Sequence, residues 1–222
     1  MLFRSGGRRL RRRGSPVVAI DRGWDAYLAG RSANFRQQVR RKERDLRRHG
    51  ARFRLTESPD RLQADMDTLF ALHRARWQNG DSSFGSDTEP FHREFARLAL
   101  ERGWLRLWIL ELDGAPAAAW YGFRFGNAES YYQAGRDPRW DRASVGFVLL
   151  AHTIREAAGD GMREYRLLDG GEPFKYRFAT SDPGLDLVGV GRGPAGRLLV
   201  SSVDSIARQP AIRAAGERVL GV

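Results

Sequence analysis

One short stretch of the sequence brings carboxylate, ammonium and phenol groups together within eight positions. It is LLDGGEPFKYRF (167–178), and it contains Asp169, Glu172, Lys175 and Tyr176. A carboxylate can remove a proton or bind an amine, and an ammonium group can hold an acidic ligand. The stretch follows a predicted strand, and ligands favour the carboxyl ends of strands in open α/β sheets. It is therefore a candidate site, although a purely structural pair of Glu172 and Lys175 is the alternative.

Positive charge is concentrated at the start of the chain. Of the 38 Arg and Lys residues, 17 lie in the first 54 positions, against four acids, and the rest of the chain is close to neutral. The formal net charge of +11 therefore belongs to one end, which argues against a fold built around nucleic acid. Residues 1–15 lack the apolar segment of a secretory signal. They are interpreted as a disordered leader or the edge of a longer protein, with an arm for nucleic acid or anionic lipid as the alternative.

Almost all of the cations are arginine. Lys42 and Lys175 are the two lysines in the sequence. Lysine and arginine are not equivalent at close quarters, so a position that remains lysine favours a need for a compact, titratable ammonium group. Chance is the alternative, and both positions are kept as candidates.

The composition also excludes several kinds of site. The chain has no cysteine, which excludes a disulfide scaffold, cysteine-ligated zinc and a thiol nucleophile. His73 shares a helical face with apolar residues, and His92 and His152 have no carboxylate at metal-ligand spacing, so we predict no metal. No apolar run approaches the roughly 18 residues of a membrane span. We expect a globular, cytoplasmic protein.

Hydrophobic periodicity predicts helices, then an antiparallel meander, then a β–α–β unit. Strands are predicted at 16–20, 51–57, 104–112, 116–125, 129–135, 163–169 and 185–191, and helices at about 24–49, 62–77, 91–103, 145–158 and 195–220. The meander is the most strongly indicated part, because tight turns at Asp113-Gly114 and Gly126-Asn127 separate its strands. We predict a mixed α/β fold in one domain over residues 16–222.

The second half of the predicted 24–49 helix is amphipathic. Phe35, Val39, Lys42 and Leu46 recur at helical spacing and predict one buried face. Six arginines fall on the opposite side and predict a solvated face: Arg36, Arg40, Arg41, Arg44, Arg47 and Arg48. Lys42 is therefore the cation predicted to point along the buried seam.

The predicted connection between a strand and a helix at RASVG (142–146) is a candidate phosphate-binding site. Backbone N–H groups and the positive end of the helix dipole converge at the start of the helix predicted from about residue 145. The motif is weak, because one glycine and one arginine occur at many helix starts.

Three stretches carry a resemblance to a known family. FRQQVRRKERDLRRHG (35–50) is similar to an Arg- and Lys-rich helix, LFALHRARWQNG (69–80) to an aromatic helix end before a Gly loop, and GMREYRLLDGGEPFKYRFA (161–179) to a pattern of Asp, Gly, Glu and Lys after a strand. Residues 113–140 look like the central meander. Together, over about 24–190, they resemble the CelD-like GNAT acyltransferases of exopolysaccharide and cellulose-synthesis loci, relatives of the Fem peptidyltransferases.

The resemblance implies a GNAT-like fold with helices on both faces of the sheet. Two parallel strands would splay apart, an acyl-CoA thioester would insert between them, and backbone N–H groups would polarise its carbonyl. The family's pyrophosphate motif, Gln/Arg-x-x-Gly-x-Gly/Ala, is present only in degenerate form at Arg142, Ser144 and Gly146. Such proteins often carry two GNAT-like halves, and this chain resembles the second. That implies a fragment of a longer protein or a homodimer.

The implied chemistry assigns roles to residues. Acyl transfer needs an oriented donor and acceptor, a polarised carbonyl and a base for the acceptor amine. We expect Asp169 or Glu172 as base or amine ligand, Lys175 as the partner of an acidic acceptor or a carboxylate, and Tyr131 as proton donor to the thiolate. Tyr132 is open to the same role, and one of the two tyrosines is expected in the core. Residues expected to bind acyl-CoA are Arg142, Ser144, Val145, Gly146 and Phe147, and those expected to bind substrate are Lys42, Trp77 and Tyr176.

Three functions remain open. The preferred one is an N-acyltransferase that moves an acyl group from acyl-CoA to a sugar or small-molecule amine, in cell-envelope or exopolysaccharide biosynthesis. The second is a Fem-like transfer from aminoacyl-tRNA to a peptidoglycan precursor. The third is a non-catalytic, basic nucleic-acid-binding module, which the uneven charge disfavours.

Overall fold

The computed structural model describes residues 8–76, 84–85, 87–196, 198, 200 and 202. The chain divides into two units, which are described separately. The sheet unit comprises Val17–Leu168 and Phe178–Ser181, and the terminal unit comprises Met1–Pro16, Asp169–Arg177 and Asp182–Val222. The boundary between them lies inside the predicted domain of residues 16–222.

The elements between residues 16 and 191 follow the predicted order along the chain, apart from a short helix at Pro173–Tyr176 that was not predicted; the strand at Arg8–Arg13 was not predicted either. The strands are β1 (Arg8–Arg13), β2 (Val17–Ala19), β3 (Arg52–Leu55), β4 (Leu105–Leu112), β5 (Ala115–Phe125), β6 (Ala128–Arg136), β7 (Glu164–Arg166) and β8 (Leu185–Gly189). The helices are α1 (Trp24–Ala29), α2 (Ala33–Arg47), α3 (Pro59–Arg76), α4 (Glu89–Glu101), α5 (Val145–Gly159) and α6 (Pro173–Tyr176), with a 3-10 helix over Pro138–Ala143. Among the described residues, no helix has both the length and the apolar character needed to cross a membrane.

The predicted 24–49 helix is two helices. The break lies at residues 30–32, where Ser32 caps the start of α2 by accepting a hydrogen bond from the Phe35 backbone N–H. A side-chain oxygen at this position satisfies a backbone donor that has no partner inside the helix, so a new helix begins here. In α2 the predicted apolar face is confirmed, because Phe35, Val39 and Leu46 are buried.

The sheet unit contains a mixed sheet that is six strands wide in the described part of the chain. Its order is β2-β7-β6-β5-β4-β3. Neighbouring strands are antiparallel except β6 and β7, which are parallel. The predicted meander is β4-β5-β6, and the predicted β–α–β unit is β6-α5-β7. The mixed α/β fold class is thereby confirmed.

Two adjacent residues of β5 show which helices cover each face of the sheet. Trp120 donates a hydrogen bond of 2.7 Å from Nε1 to the Tyr165 hydroxyl, which lies 2.9 Å from Oγ1 of Thr153 in α5. The next side chain, Tyr121, points to the opposite face, and its ring centroid is 5.9 Å from that of His92 in α4. Helix α5 therefore covers one face, and α3 and α4, whose buried residues Leu69 and Ala96 share a core cluster with Tyr121, cover the other.

The terminal unit differs from prediction at the basic leader. Residues expected to be disordered form strand β1, which pairs with β8 in antiparallel register from Arg8↔Gly189 to Arg13↔Leu185. Arg9 and Arg12 each lie 3.7 Å from a carboxylate oxygen of Asp186. Backbone pairing and these ion pairs order a segment that composition indicated to be solvated. Most of the helix predicted at 195–220 lies outside the described residues.

Candidate active site

The parallel pair of strands opens partway along β6. Strand β7 pairs with Ala128, Glu129 and Ser130 and then ends, whereas β6 continues beside β5 to Arg136. In the described part of the chain, residues 132–136 therefore have no strand neighbour on the β7 side. We call this opening between β6 and the end of β7 the fork. It is the splayed pair that the resemblance implies.

A β-bulge lies directly at the fork. Tyr121 faces Gln133 and Gly122 faces Tyr131, so Tyr132 is an extra residue in β6. Gly122 is required here because an added Cβ atom would lie 2.2 Å from the Ser130 carbonyl oxygen. A bulge leaves one residue outside the ladder and re-aims its amide and side chain. The fork therefore offers backbone groups that regular β-pairing does not use.

The two tyrosines that were predicted to face the site lie on opposite faces of the sheet. Tyr131 is 6% exposed and its ring stacks on Trp120 at 4.1 Å, on the α5 face. Tyr132 is 40% exposed, and its ring centroid is 5.4 Å from that of His92, on the α4 face. Tyr131 is thus the tyrosine that packs in the core, and Tyr132 is the one that reaches solvent at the fork.

Two buried histidines line the sheet beside the bulge, and the sequence had marked only His73 as buried. His73 is 1% exposed and is hydrogen-bonded by the Gln133 side chain, and burial lowers its pKa from 6.5 to about 4. His92 is 6% exposed, burial also lowers its pKa, and its Nδ1 has no hydrogen-bond partner among the described residues. The Phe84 ring lies between them, 4.7 Å and 4.9 Å from the two imidazoles. Both imidazoles are therefore favoured in the neutral form.

The lowered pKa of His73 predicts a loss of stability in mild acid. The folded state binds a proton at about pH 4 and the unfolded state at about 6.5, so the contribution is complete above 6.5 and is lost as the pH falls through this window. We expect the free energy of unfolding to fall by about 1 kcal/mol from His73 between pH 7 and 5.5. Urea denaturation at both pH values, with His73→Gln beside the wild type, measures it. An equal pH slope in the variant would contradict the assignment.

A buried carboxylate at the base of the fork was not marked by the sequence. Glu129 is 1% exposed and accepts a hydrogen bond of 2.8 Å from Arg124, with Arg106 at 3.4 Å. Burial raises the pKa of Glu129, although the Arg124 guanidinium opposes the shift. The alternation of side chains along β6 was the signal, because it places Glu129 on the same buried face as Tyr131. Because Arg106 lies in β4 and Arg124 in β5, Glu129 links these two strands to β6.

Helix α5 begins beside the end of β6 without a side-chain cap. Its N-cap residue, Ser144, has left-handed backbone angles (φ 61°, ψ 42°) and makes no capping hydrogen bond. The first N–H groups of a helix have no partner inside it, and they attract anions together with the helix dipole. The predicted phosphate-binding residues therefore lie together: Arg142, Ser144, Val145, Gly146 and Phe147.

Lys42 connects α2 to this helix start. Its Nζ donates a hydrogen bond of 3.1 Å to the Arg142 carbonyl oxygen, and the side chain is half-buried rather than enclosed. Phe35 in the same helix contacts Phe147, with ring centroids 5.8 Å apart. The lysine on the predicted buried seam thus holds the segment that leads into α5.

Removing the Lys42 ammonium tests this positioning role. We expect Lys42→Met to raise KM for the acyl-CoA that the sequence resemblance implies by about threefold to tenfold with little change in kcat, because one hydrogen bond that fixes the Arg142 backbone is lost while the unbranched side chain is kept. Steady-state kinetics measure this effect. Lys42→Gln, whose amide can still donate a hydrogen bond, is the control. An unchanged KM in Lys42→Met would show that the bond does not position the site.

The four candidates around LLDGGEPFKYRF lie in the terminal unit. Lys175 is 3% exposed, and its Nζ is 2.6 Å from the Asp169 carbonyl oxygen and 2.9 Å from Oε2 of Glu172. The Asp169 carboxylate lies 2.7 Å from Nη1 of Arg13. The structural pair of Glu172 and Lys175, the alternative to a catalytic role, is therefore present.

Tyr176, a predicted substrate-binding residue, is also engaged in the terminal unit. Its hydroxyl donates a hydrogen bond of 2.6 Å to Oδ2 of Asp182. This bond lowers the pKa of Asp182 and raises that of Tyr176. Trp77, predicted to bind substrate, lies outside the described residues. Within the described chain, no group of three or more His, Asp or Glu residues is arranged to hold a metal ion.

Comparison with known proteins identifies the family. A family model described as "Acetyltransferase (GNAT) domain" matches residues 33–176. The chain belongs to the GNAT acetyltransferase family. The match includes the fork, the bulge and the start of α5. No curated protein matches the sequence.

Solved structures share the fold of this GNAT protein at low sequence identity. FemX is 9% identical, with a TM-score of 0.62 over 81% of this chain and 63% of its own. The C-terminal domain of a proposed lysylphosphatidylglycerol synthetase from Agrobacterium fabrum is 13% identical, with a TM-score of 0.60 over 90% and 66%. L-PGS from Bacillus licheniformis is 12% identical, with a TM-score of 0.58 over 90% and 65%. The chain spans about two thirds of the length of these structures, and the likeness establishes the fold.

Proposed function

We propose that this protein is an N-acyltransferase that transfers an acyl group from acyl-CoA to an amine acceptor. The observation that carries the proposal is the bulge at Tyr132, at the point where β6 loses its parallel neighbour β7. A backbone N–H outside the ladder can stabilise the negative charge that develops on a carbonyl oxygen under attack. Membership of the GNAT family supports acyl transfer as the reaction class.

We assign the CoA phosphates to the start of α5. Ser144 makes no capping hydrogen bond, so the N–H groups of the first turn can bind an anion, and the exposed Arg142 adds a positive charge. Gly146 leaves room, since an added Cβ would have its closest contact, Arg136 Cδ, at 4.0 Å. Bound acyl-CoA would supply the thioester that the acceptor amine attacks.

The reaction exchanges one bond at the carbonyl carbon and moves two protons. The amine nitrogen forms a bond to the carbonyl carbon, the carbon–sulfur bond breaks, and an amide and a free thiol result. One proton leaves the nitrogen and one reaches the sulfur. We propose that Tyr132, and not Tyr131, donates the proton to the sulfur, because Tyr132 is the exposed tyrosine at the fork. Asp169 or Glu172 stays the proposed base from the sequence, and Lys175 the proposed charge partner.

The acceptor is proposed from the sequence resemblance. The CelD-like pattern of residues 161–179 favours an amine on a sugar or small molecule in cytoplasmic steps of exopolysaccharide or cell-envelope synthesis. The Fem-like alternative uses aminoacyl-tRNA and a peptidoglycan precursor. The two reactions use different acyl donors, so the experiment must identify the donor.

A panel of acyl-CoA donors tests the proposal. Free thiol is measured with and without candidate amines, and with aminoacyl-tRNA as an alternative donor. We expect amine-dependent release of thiol from at least one acyl-CoA. Amide formation from aminoacyl-tRNA, without consumption of any acyl-CoA, would overturn the proposal in favour of the Fem-like reaction.

The two tyrosines provide a matched pair of variants for the same assay. Tyr132→Phe is expected to lower kcat by about tenfold with little change in KM, because the proposed proton donor to sulfur is removed. Tyr131→Phe removes an identical hydroxyl from a buried ring and is expected to leave kcat within about twofold. The reverse ranking would return the role to Tyr131.

A further inference from the structure

The outer face of α2 carries three exposed arginines. Arg40, Arg41 and Arg44 are exposed and lie within little more than one helical turn. Within the described part of the chain, none of them has an ion pair or a side-chain hydrogen bond. By contrast, Arg47 pairs with Glu43 at 3.0 Å and Arg48 with Asp45 at 3.5 Å on the same helix. These three guanidinium groups therefore form a local cationic surface, which we call the α2 patch.

The α2 patch lies on the helix that holds the start of α5. Lys42, between Arg41 and Arg44 in sequence, donates its hydrogen bond to the Arg142 carbonyl oxygen two residues before Ser144. The Arg142 side chain is exposed and belongs to the proposed phosphate site. A protein bound to the α2 patch would therefore contact the helix that is tied to the place where the donor enters.

We propose that the α2 patch docks an acidic carrier protein that presents its acyl group on a phosphopantetheine arm. This inference rests on the proposed function, and it adds a donor beyond free acyl-CoA. Carrier protein and CoA share the phosphopantetheinyl thioester, so the same fork accepts both. The reaction is unchanged: the acceptor nitrogen takes the acyl group, the carbon–sulfur bond breaks, and the thiol stays on the carrier.

Charge and surface character favour a protein over the other polyanions. A helix that inserts into a membrane interface buries apolar side chains there, whereas the apolar residues of α2 (Phe35, Val39 and Leu46) are buried inside the protein. Strong nucleic-acid binding draws on many phosphate contacts, but the leader arginines Arg9 and Arg12 are paired with Asp186. A short helix face with three or four cations is complementary in charge to an acidic helix of a small protein.

Binding is the decisive measurement, because it needs no acceptor. A purified bacterial acyl carrier protein in its acylated form is titrated into the full chain and followed by calorimetry. We expect Arg40→Gln/Arg41→Gln/Arg44→Gln to weaken binding by about tenfold or more, and added salt to weaken the wild type similarly. The control is Arg61→Gln/Arg97→Gln/Arg102→Gln, which removes the same charge from the part of the sheet unit that α3 and α4 form. It is expected to bind like the wild type.

Three results would overturn the inference. The first is equal weakening by both triple variants, and the second is no binding of the carrier. The third is tighter, α2-dependent binding of tRNA than of the carrier, which would make the patch a nucleic-acid surface. Turnover of acyl-CoA by the wild type separates this inference from the proposed function: wild-type turnover of acyl-CoA without carrier binding refutes the docking alone, and no turnover of any acyl-CoA by the wild type refutes the proposed function.

Discussion

Replacing Gly135 with alanine is expected to destabilise the protein by about 3 kcal/mol. Gly135 lies in β6 beyond the bulge, directly under α3. An added Cβ would lie 2.3 Å from the His73 backbone nitrogen and 2.5 Å from the Leu72 carbonyl carbon. These are backbone atoms of a helix, so no side-chain rotation relieves the clash. Helix α3 must move away from the sheet, and buried residues such as Leu69 and Phe70 lose contacts with it.

Gly159→Ala is the matched control for this prediction. Gly159 is the last residue of α5, and an added Cβ there meets nothing within 4 Å. Alanine in a helix is favoured over glycine, so the control is expected to be as stable as the wild type or slightly more stable. Urea denaturation followed by circular dichroism compares the midpoints. Equal midpoints for Gly135→Ala and the wild type would show that α3 does not approach β6 as closely as the structure has it.

The sequence predicted the meander and α2 because local signals specify them. Tight turns at Asp113-Gly114 and Gly126-Asn127 fix where β4, β5 and β6 end. The spacing of Phe35, Val39 and Leu46 fixes the face of α2 that is buried. Each of these features depends on residues close in sequence, so a single sequence carries enough information.

The fork and the bulge depend on pairing between distant residues. Tyr131 and Tyr132 are adjacent and chemically identical, and alternation along a strand places them on opposite faces without saying which one is exposed. Which tyrosine is exposed depends on the pairing of Tyr121 with Gln133 and of Gly122 with Tyr131. The sequence does not specify this register. The leader is a similar case, because β1 forms against β8, more than 170 positions away.

The hydrogen bond of Lys42 shows a residue that could be marked but not explained from the sequence. Its identity as one of two lysines and its position on the apolar side of α2 singled it out. Its partner is a backbone carbonyl oxygen, that of Arg142, which has no sequence signature. The pattern could therefore indicate that Lys42 is special, whereas the structure supplies the reason: α2 and the start of α5 are tied together at the proposed phosphate site.

A single negative charge at the start of α5 is expected to weaken acyl-CoA binding without lowering the stability of the protein. Ser144→Asp places a carboxylate beside the first turn, where it is favourable for the helix by about 0.5 kcal/mol but repels the CoA phosphates. We expect acyl-CoA to bind about 30- to 100-fold more weakly, with the loss reduced at high salt. The left-handed backbone at Ser144 tolerates both Asp and Asn, so Ser144→Asn is the neutral control of the same shape.

The expected effects on acyl-CoA affinity and on stability have opposite signs, so a misfolded variant cannot be mistaken for the expected result. A variant that fails to bind because it is damaged loses stability, whereas Ser144→Asp is expected to melt at or slightly above the temperature of Ser144→Asn. Calorimetric titration with acyl-CoA at two salt concentrations, together with thermal denaturation, gives both quantities. Equal affinity of the Asp and Asn variants would mean that no anion binds at the start of α5. The donor would then have to be held elsewhere, because the dipole and the N–H groups of the first turn act on any phosphate placed there.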